Sequence, residues 1–167
     1  LVPAATWEVE DLLDHLFEHR STAPFISYRL IQRLVTSNPS PRYMTSVVNA
    51  FRTGRYNGVT FSGRYGDMAA TVAAVLLDRE ARSPMLEADP TFGVMREPMV
   101  KMLQVFNALE YNNVDEGETM FTRNIYSQIG MEPFHSPSVF GFYLPENRPE
   151  GPINDIGIVS PESQLAI

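Results

Sequence analysis

The apolar positions at the start of the chain repeat with a helical period. In TWEVEDLLDHLFEHR, Val9, Leu12, Leu13, Leu16 and Phe17 fall at i, i+3, i+4, i+7 and i+8, one stripe of an amphipathic helix. Thr6 is the expected N-cap, and Glu8, Glu10 and Asp11 suit the positive end of the helix dipole. A second helix is expected after Ser21-Thr22, with Pro24 in its first turn, a stripe of Ile26, Leu30 and Leu34, and Tyr28, Ile31 and Val35 widening it. TSNPSP then breaks the pattern. Ser40-Pro41 opens a third helix, with Met44, Val47, Val48 and Phe51 inward and Gly54 at its C-terminal end.

The next stretch, GRYNGVTFSGRYG, is punctuated by glycine, and Asn57-Gly58 is a hairpin-turn signal. Asp67 begins DMAATVAAVLLDREARS, a fourth helix with Met68, Val72, Val75 and Leu76 expected inward. Pro98 sits in the first turn of a fifth, whose expected core positions are Met99, Met102, Leu103, Phe106 and Leu109. A shorter helix is expected over 119–128, and Ser160-Pro161-Glu162 reads as one last helix start. Between them, EPFHSPSVFGFYLPENRPEGP carries prolines at 133, 137, 145, 149 and 152, too many for a long helix or a central strand. Its aromatics need cover. The reading is a structural strap in which Phe134, Val139, Phe140 and Phe142 are buried and His135 is structural.

These elements predict a mainly α fold: an irregular helical bundle of about five to six helices. A small β-hairpin is expected near 54–64 and the long Pro/aromatic strap near 132–152. The whole of 1–167 reads as one helical domain without an internal boundary.

Composition narrows the chemistry. The 167 residues are 44% hydrophobic and 20% charged, a globular balance. With no cysteine, disulfides, thiolate zinc sites and a cysteine nucleophile are excluded. No apolar run reaches the length of a membrane span, and no signal peptide is visible. The chain starts at Leu1 rather than Met, which reads as a processed chain or one excised from something longer. A net charge of −7 argues against nucleic acid as a partner.

That average hides an asymmetry. Residues 19–66 contain no Asp or Glu but seven arginines, at 20, 29, 33, 42, 52, 55 and 64. Arg29, Arg33, Arg42 and Arg52 are the candidates for a basic face that meets an anionic glycan, a phosphate-bearing ligand or an acidic partner. The competing reading pairs these arginines internally with the chain's own carboxylates.

One catalytic pattern is present. His15-Leu16-Phe17-Glu18-His19 is H-x-x-E-H, in which two histidines four apart on a helix can grip zinc while the glutamate activates water. Glu80 and Glu87 are the downstream acids that could supply a third ligand. Against this, Leu16 and Phe17 belong to the apolar stripe, and a solvated or helix-capping histidine pair explains the same letters. No cofactor is expected on balance, with zinc the alternative. The methionines at 95, 99 and 102 read as core. No nucleophile elbow, phosphate loop or calcium loop occurs.

Several segments, in order, resemble the domain of unknown function 1800 family. They are LFEHRSTAPFISYRLIQRLVTSNPSPRYM, GDMAATVAAVLLDREARS, Arg96-Glu97-Pro98 and PFHSPSVFGFYLPENRPEGP. Arg20 and Ser136 depart from the family, which commonly has proline at both places. The resemblance implies a mainly helical protein, usually exported in bacteria to the periplasm, cell surface or medium, and implies no activity. It also implies that this chain matches the C-terminal part of the family domain, without the Trp-, Asn-, His- and Glu-rich motifs of its N-terminal half. Only His19 corresponds to a recurrent family histidine, while His15 does not. The expectation is a helical structural or binding module whose partner is the remainder of its own chain or an assembly protein. The alternatives are a fragment of a metal-dependent hydrolase acting on an extracellular polymer and an anionic-glycan binder.

Overall fold

The computed structural model describes residues 2–111, 128–132 and 134–165. Its contacts group into two compact units, Leu1–Phe92 and Gly93–Ile167, where the sequence shows no boundary. Each is described by itself.

The first unit is built from α1 (Val2–Glu18), α2 (Thr22–Leu34), α3 (Pro41–Thr53), a two-stranded hairpin and α4 (Met68–Leu77). Helix α1 starts at Val2, so Thr6 lies inside it rather than capping it. Helix α3 is set by its ends. The Ser40 side chain accepts from the Tyr43 N–H at 3.1 Å, and Pro41 follows as the first helical residue. At the other end Gly54 adopts φ 61°, and its N–H bonds back to Ala50 O at 2.9 Å. A Cβ on Gly54 would lie 2.6 Å from the backbone nitrogens of Gly63 and Arg64, so glycine is required there twice over.

The hairpin pairs β1 (Arg55–Tyr56) with β2 (Val59–Thr60), in the antiparallel register Arg55↔Thr60 and Tyr56↔Val59. Asn57 and Gly58 both take positive φ, 48° and 79°, the conformation that a tight two-residue hairpin turn demands. Asp67 accepts from the Ala70 N–H at 2.9 Å and caps α4.

The core lies among α2, α3 and α4. Ile31, Tyr43, Val47, Ala50, Ala70, Ala74 and Val75 form one buried cluster; Ala23, Val48 and Phe51 form a second. The inward positions of α3 are the expected ones, with Tyr43 and Ala50 added and Met44 half-buried. Two helices turn differently. In α4 the buried residues are Ala70, Thr71, Ala74 and Val75, while Met68 and Leu76 are exposed. This helix is apolar almost all round, so its pattern carries no phase, and small residues at i, i+4 let α3 approach closely. In α2 the buried line is Ala23, Ser27 and Ile31, and Leu34 is exposed. Helix α4 also stops early, at Leu77, where Asp78 takes an extended conformation. A short 3₁₀ helix, Pro84–Ala88, follows.

The second unit contains α5 (Pro98–Ala108), a single-turn α6 (Pro152–Asp155) and a terminal 3₁₀ helix, Pro161–Leu165, at the expected last helix start. Its buried cluster is Met131, Tyr143 and Leu165, with Met99, Ile129 and Phe142 packed around it. None of the residues of α5 is fully buried; Met99, Met102 and Phe106 are half-buried, and Leu103 and Leu109 are exposed, which corrects the core role expected of those two. The helix expected over 119–128 lies outside the described residues except for Gln128.

Within the strap, Ser138 and Gly141 form an isolated antiparallel bridge, and the Tyr143 hydroxyl donates to the Glu97 carboxylate. Phe134 and Val139 are fully exposed, correcting the expectation that they are buried. Phe140 and Phe142 are half-buried, and Tyr143, with the expected Phe142, carries the strap's packing. The reason is local. Phe134 takes φ 65°, and Val139 sits in the turn closed by the Gly141 N–H to Ser138 O bond at 3.1 Å.

Candidate functional site

The apolar stripe of α1 is largely uncovered. Val9, Leu12, Leu13 and Leu16 retain 55%, 55%, 58% and 53% of their accessible surface. The C-terminal end of the helix is seated. Phe17 meets Phe51 at 6.4 Å and Tyr65 edge-on at 5.2 Å between ring centroids, and the Tyr65 hydroxyl donates to Phe17 O at 3.0 Å. Gly66, at φ 80°, makes room for this: a Cβ there would lie 2.2 Å from the Phe17 ring. Thr22 Oγ1 donates to Leu16 O at 2.5 Å and closes the helix end. The acidic residues Glu8, Glu10, Asp11, Asp14 and Glu18 fall on the remaining faces of α1, so an apolar strip is bordered by negative charge.

His15 lies in the last turn of α1 and His19 just beyond its end, both exposed with their rings 6.4 Å apart, so the two do not share one helix as the spacing predicts. His19 Nδ1 accepts from the Ser21 N–H at 3.3 Å. Among the described residues no group of three or more His, Cys, Asp or Glu side chains gathers as metal ligands. Glu80, one of the two acids considered for that role, is committed to the N-terminus of α3: it accepts from the Ser40 N–H at 2.9 Å and from the Ser40 hydroxyl.

The four candidate arginines do not share one environment. Arg29 lies over the rings of Phe25 and Tyr28, at 5.2 and 5.4 Å, and donates to Gln32 Oε1 at 2.8 Å. Arg33 and Arg52 are exposed. Arg42 is internally paired: it donates to both Asp78 oxygens, at 3.1 and 2.5 Å, and to Glu80 at 3.2 Å. Burial pushes the Asp78 carboxyl up. The Arg42 guanidinium and the Glu80 N–H outweigh that, and its pKa settles below the ordinary value. Hydrogen bonding to Asp78 raises the Arg42 pKa in turn. Tyr43, beneath this pair, donates to Val75 O at 2.5 Å; burial first, then the Asp78 charge, pushes its phenol up.

Arg42 also borders a cavity of about 540 Å³ between one side of α3, the hairpin and the α4 end, and it is the only one of the four candidates to do so. The other two arginines on the wall are Arg55 and Arg79. Arg79 escaped the sequence reading because it sits in the mixed-charge run Asp78-Arg79-Glu80, outside the acid-free segment. In the strap, His135 is exposed and its Nδ1 lies 3.8 Å from Glu132, an ion pair only when the imidazole is protonated.

Comparison with known proteins gives one match. The family described as "Protein of unknown function (DUF1800)" covers residues 2–148. No curated protein and no solved structure matches.

Proposed function

The chain belongs to the DUF1800 family, and on that premise we propose that it is a protein-docking module of an exported or cell-surface protein, acting by binding and not by catalysis. The observation that carries this reading is the α1 stripe: four successive stripe positions, each more than half exposed, on a helix seated at its C-terminal end. Burying what remains exposed of four such side chains is worth about 3–5 kcal/mol. That is enough to seat a surface but modest beside the cost of association, so it suits a tethered or multi-contact partner.

The acidic flanks define the complement as an apolar strip with a basic rim. The partner is the remainder of the same polypeptide or an assembly protein. The extracellular, periplasmic or surface setting is part of this reading and rests on the family resemblance. Among the described residues no helix is long and apolar enough to cross a membrane.

A photo-crosslinking residue at position 13, with one at exposed Thr45 as reference, tests the proposal in the native host. The expected result is a discrete crosslink from position 13, mapping to one apolar segment of the parent chain or of a single partner, and none from position 45. Equal, diffuse crosslinking from both positions removes the proposal.

A further inference from the structure

The cavity beside the hairpin is lined with hydrogen-bond donors that the fold does not use. Arg42 is fully engaged. Against Asp78 and Glu80 its charge is more than cancelled, and both of its terminal nitrogens are spent on carboxylate oxygens. Arg55 and Arg79 are different. Both are exposed, and among the described residues neither has an ion pair or hydrogen bond from its side chain. A guanidinium can only donate, so these two groups need acceptors from outside the fold.

The rest of the wall points the same way. Tyr56 contributes a phenol that burial, and then the Asp78 charge, keeps in its protonated, donating form. Asn49 and Asn57 contribute side-chain amides. The one carboxylate on the wall, Asp78, already accepts from Arg42 and from the Glu80 N–H at 2.8 Å. The hairpin fixes Arg55 and Tyr56 through a tight turn, and the extended residue after α4 fixes Arg79, so the donors are held by structured backbone. A volume of about 540 Å³ exceeds the needs of an inorganic ion and falls in the range of small-molecule sites, about 300–1,000 Å³.

We infer that this cavity binds a sugar-sized polar ligand bearing an oxyanion, with Arg55 and Arg79 gripping the anion and Tyr56, Asn49 and Asn57 meeting its hydroxyls. The oxyanion is the carboxylate of a uronic acid or the phosphate of a sugar phosphate; both present in-plane acceptors to a guanidinium fork. This site is independent of the α1 face.

Titration of the full chain with glucuronate, glucose 6-phosphate, glucose and inorganic sulfate, followed by calorimetry and amide chemical shifts, tests it. At least one anionic sugar is expected to bind with a Kd of about 1 mM or tighter, with glucose and inorganic sulfate about tenfold weaker. The stronger of the two anionic sugars identifies the anion. Arg55→Gln and Arg79→Gln are each expected to weaken binding about tenfold, and Arg52→Gln, an exposed arginine off the cavity wall, to leave it unchanged. Because Arg55 and Arg79 are exposed, these variants are expected to fold, which far-UV circular dichroism checks. The inference is overturned if neither anionic sugar binds, if glucose or sulfate binds as well as they do, or if Arg52→Gln weakens binding as much as Arg79→Gln.

Discussion

Helices α1 and α3 carry the same kind of apolar stripe and meet opposite fates. Met44, Val47, Val48 and Phe51 of α3 pack into the core, while Val9, Leu12, Leu13 and Leu16 of α1 stay in the open. The difference lies in what faces each stripe. Helix α3 is flanked by α2 and by α4, whose Ala70 and Ala74 permit close approach. Among the described residues, helix α1 finds its facing surface at Phe17, where Phe51, Tyr65 and the bare Cα of Gly66 form a seat. Helical periodicity thus reports a face that calls for cover; which surface supplies the cover is decided by tertiary contacts that the local pattern does not encode.

This contrast can be broken at its buried side first. Ile31 is fully buried between α3 and α4, so Ile31→Ala should cost about 2–4 kcal/mol in urea denaturation. A loss near zero would mean that the α2–α3–α4 core is not what holds the unit together.

The ion pair at the core's edge comes next. Asp78 has a depressed pKa in the folded state, so it contributes stability that is present above its unfolded value of 3.8 and is lost as pH falls through the lower folded value. Asp78→Asn should therefore lower stability near neutral pH by about 1 kcal/mol, because Arg42 stays partly solvated and keeps Glu80. It should also flatten the loss of stability below about pH 4. Chemical denaturation between pH 3 and pH 7, about the unfolded carboxylate range, checks both, and an unchanged acid limb would place the pH dependence elsewhere.

The seat of α1 gives a smaller effect. Gly66→Ala puts a methyl against the Phe17 ring at a positive φ, which should cost about 1 kcal/mol. It should also change the ring-current shifts of the Phe17, Phe51 and Tyr65 rings and leave those of the Ile31, Val47 and Val75 cluster intact. If that cluster's shifts move as well, α1 is coupled to it more tightly than the contacts indicate.

Much of the first unit was legible because its punctuation is local. Ser40-Pro41, Gly54, Asn57-Gly58 and Asp67 each state a backbone requirement within a few residues, and each holds in the structure. The phase of α4 was not legible: an all-apolar helix offers no preferred face, and its small residues were chosen by contact distance. The same holds for the strap, where aromatic content predicted burial of Phe134 and Val139 and the turns exposed them. The candidate site was the least legible part. Arg42 meets Asp78 and Glu80 from 36 and 38 positions away, and Arg79 joins Arg55 across a hairpin and a helix. Only H-x-x-E-H and the arginine run had a spacing to read, and the arginine run brought one of its four candidates, Arg42, to the cavity.

On the proposed function, the α1 stripe belongs to an interface rather than to the chain's own core. The unfolding free energy of Val9→Gln/Leu13→Gln, beside that of the unaltered chain, tests it most directly. Glutamine keeps helix propensity and removes the apolar face away from the Phe17 seat. A change within about 0.5 kcal/mol is expected, as for exposed positions. A loss of about 2 kcal/mol or more, the scale of core truncation, would contradict it and make α1 part of the core after all.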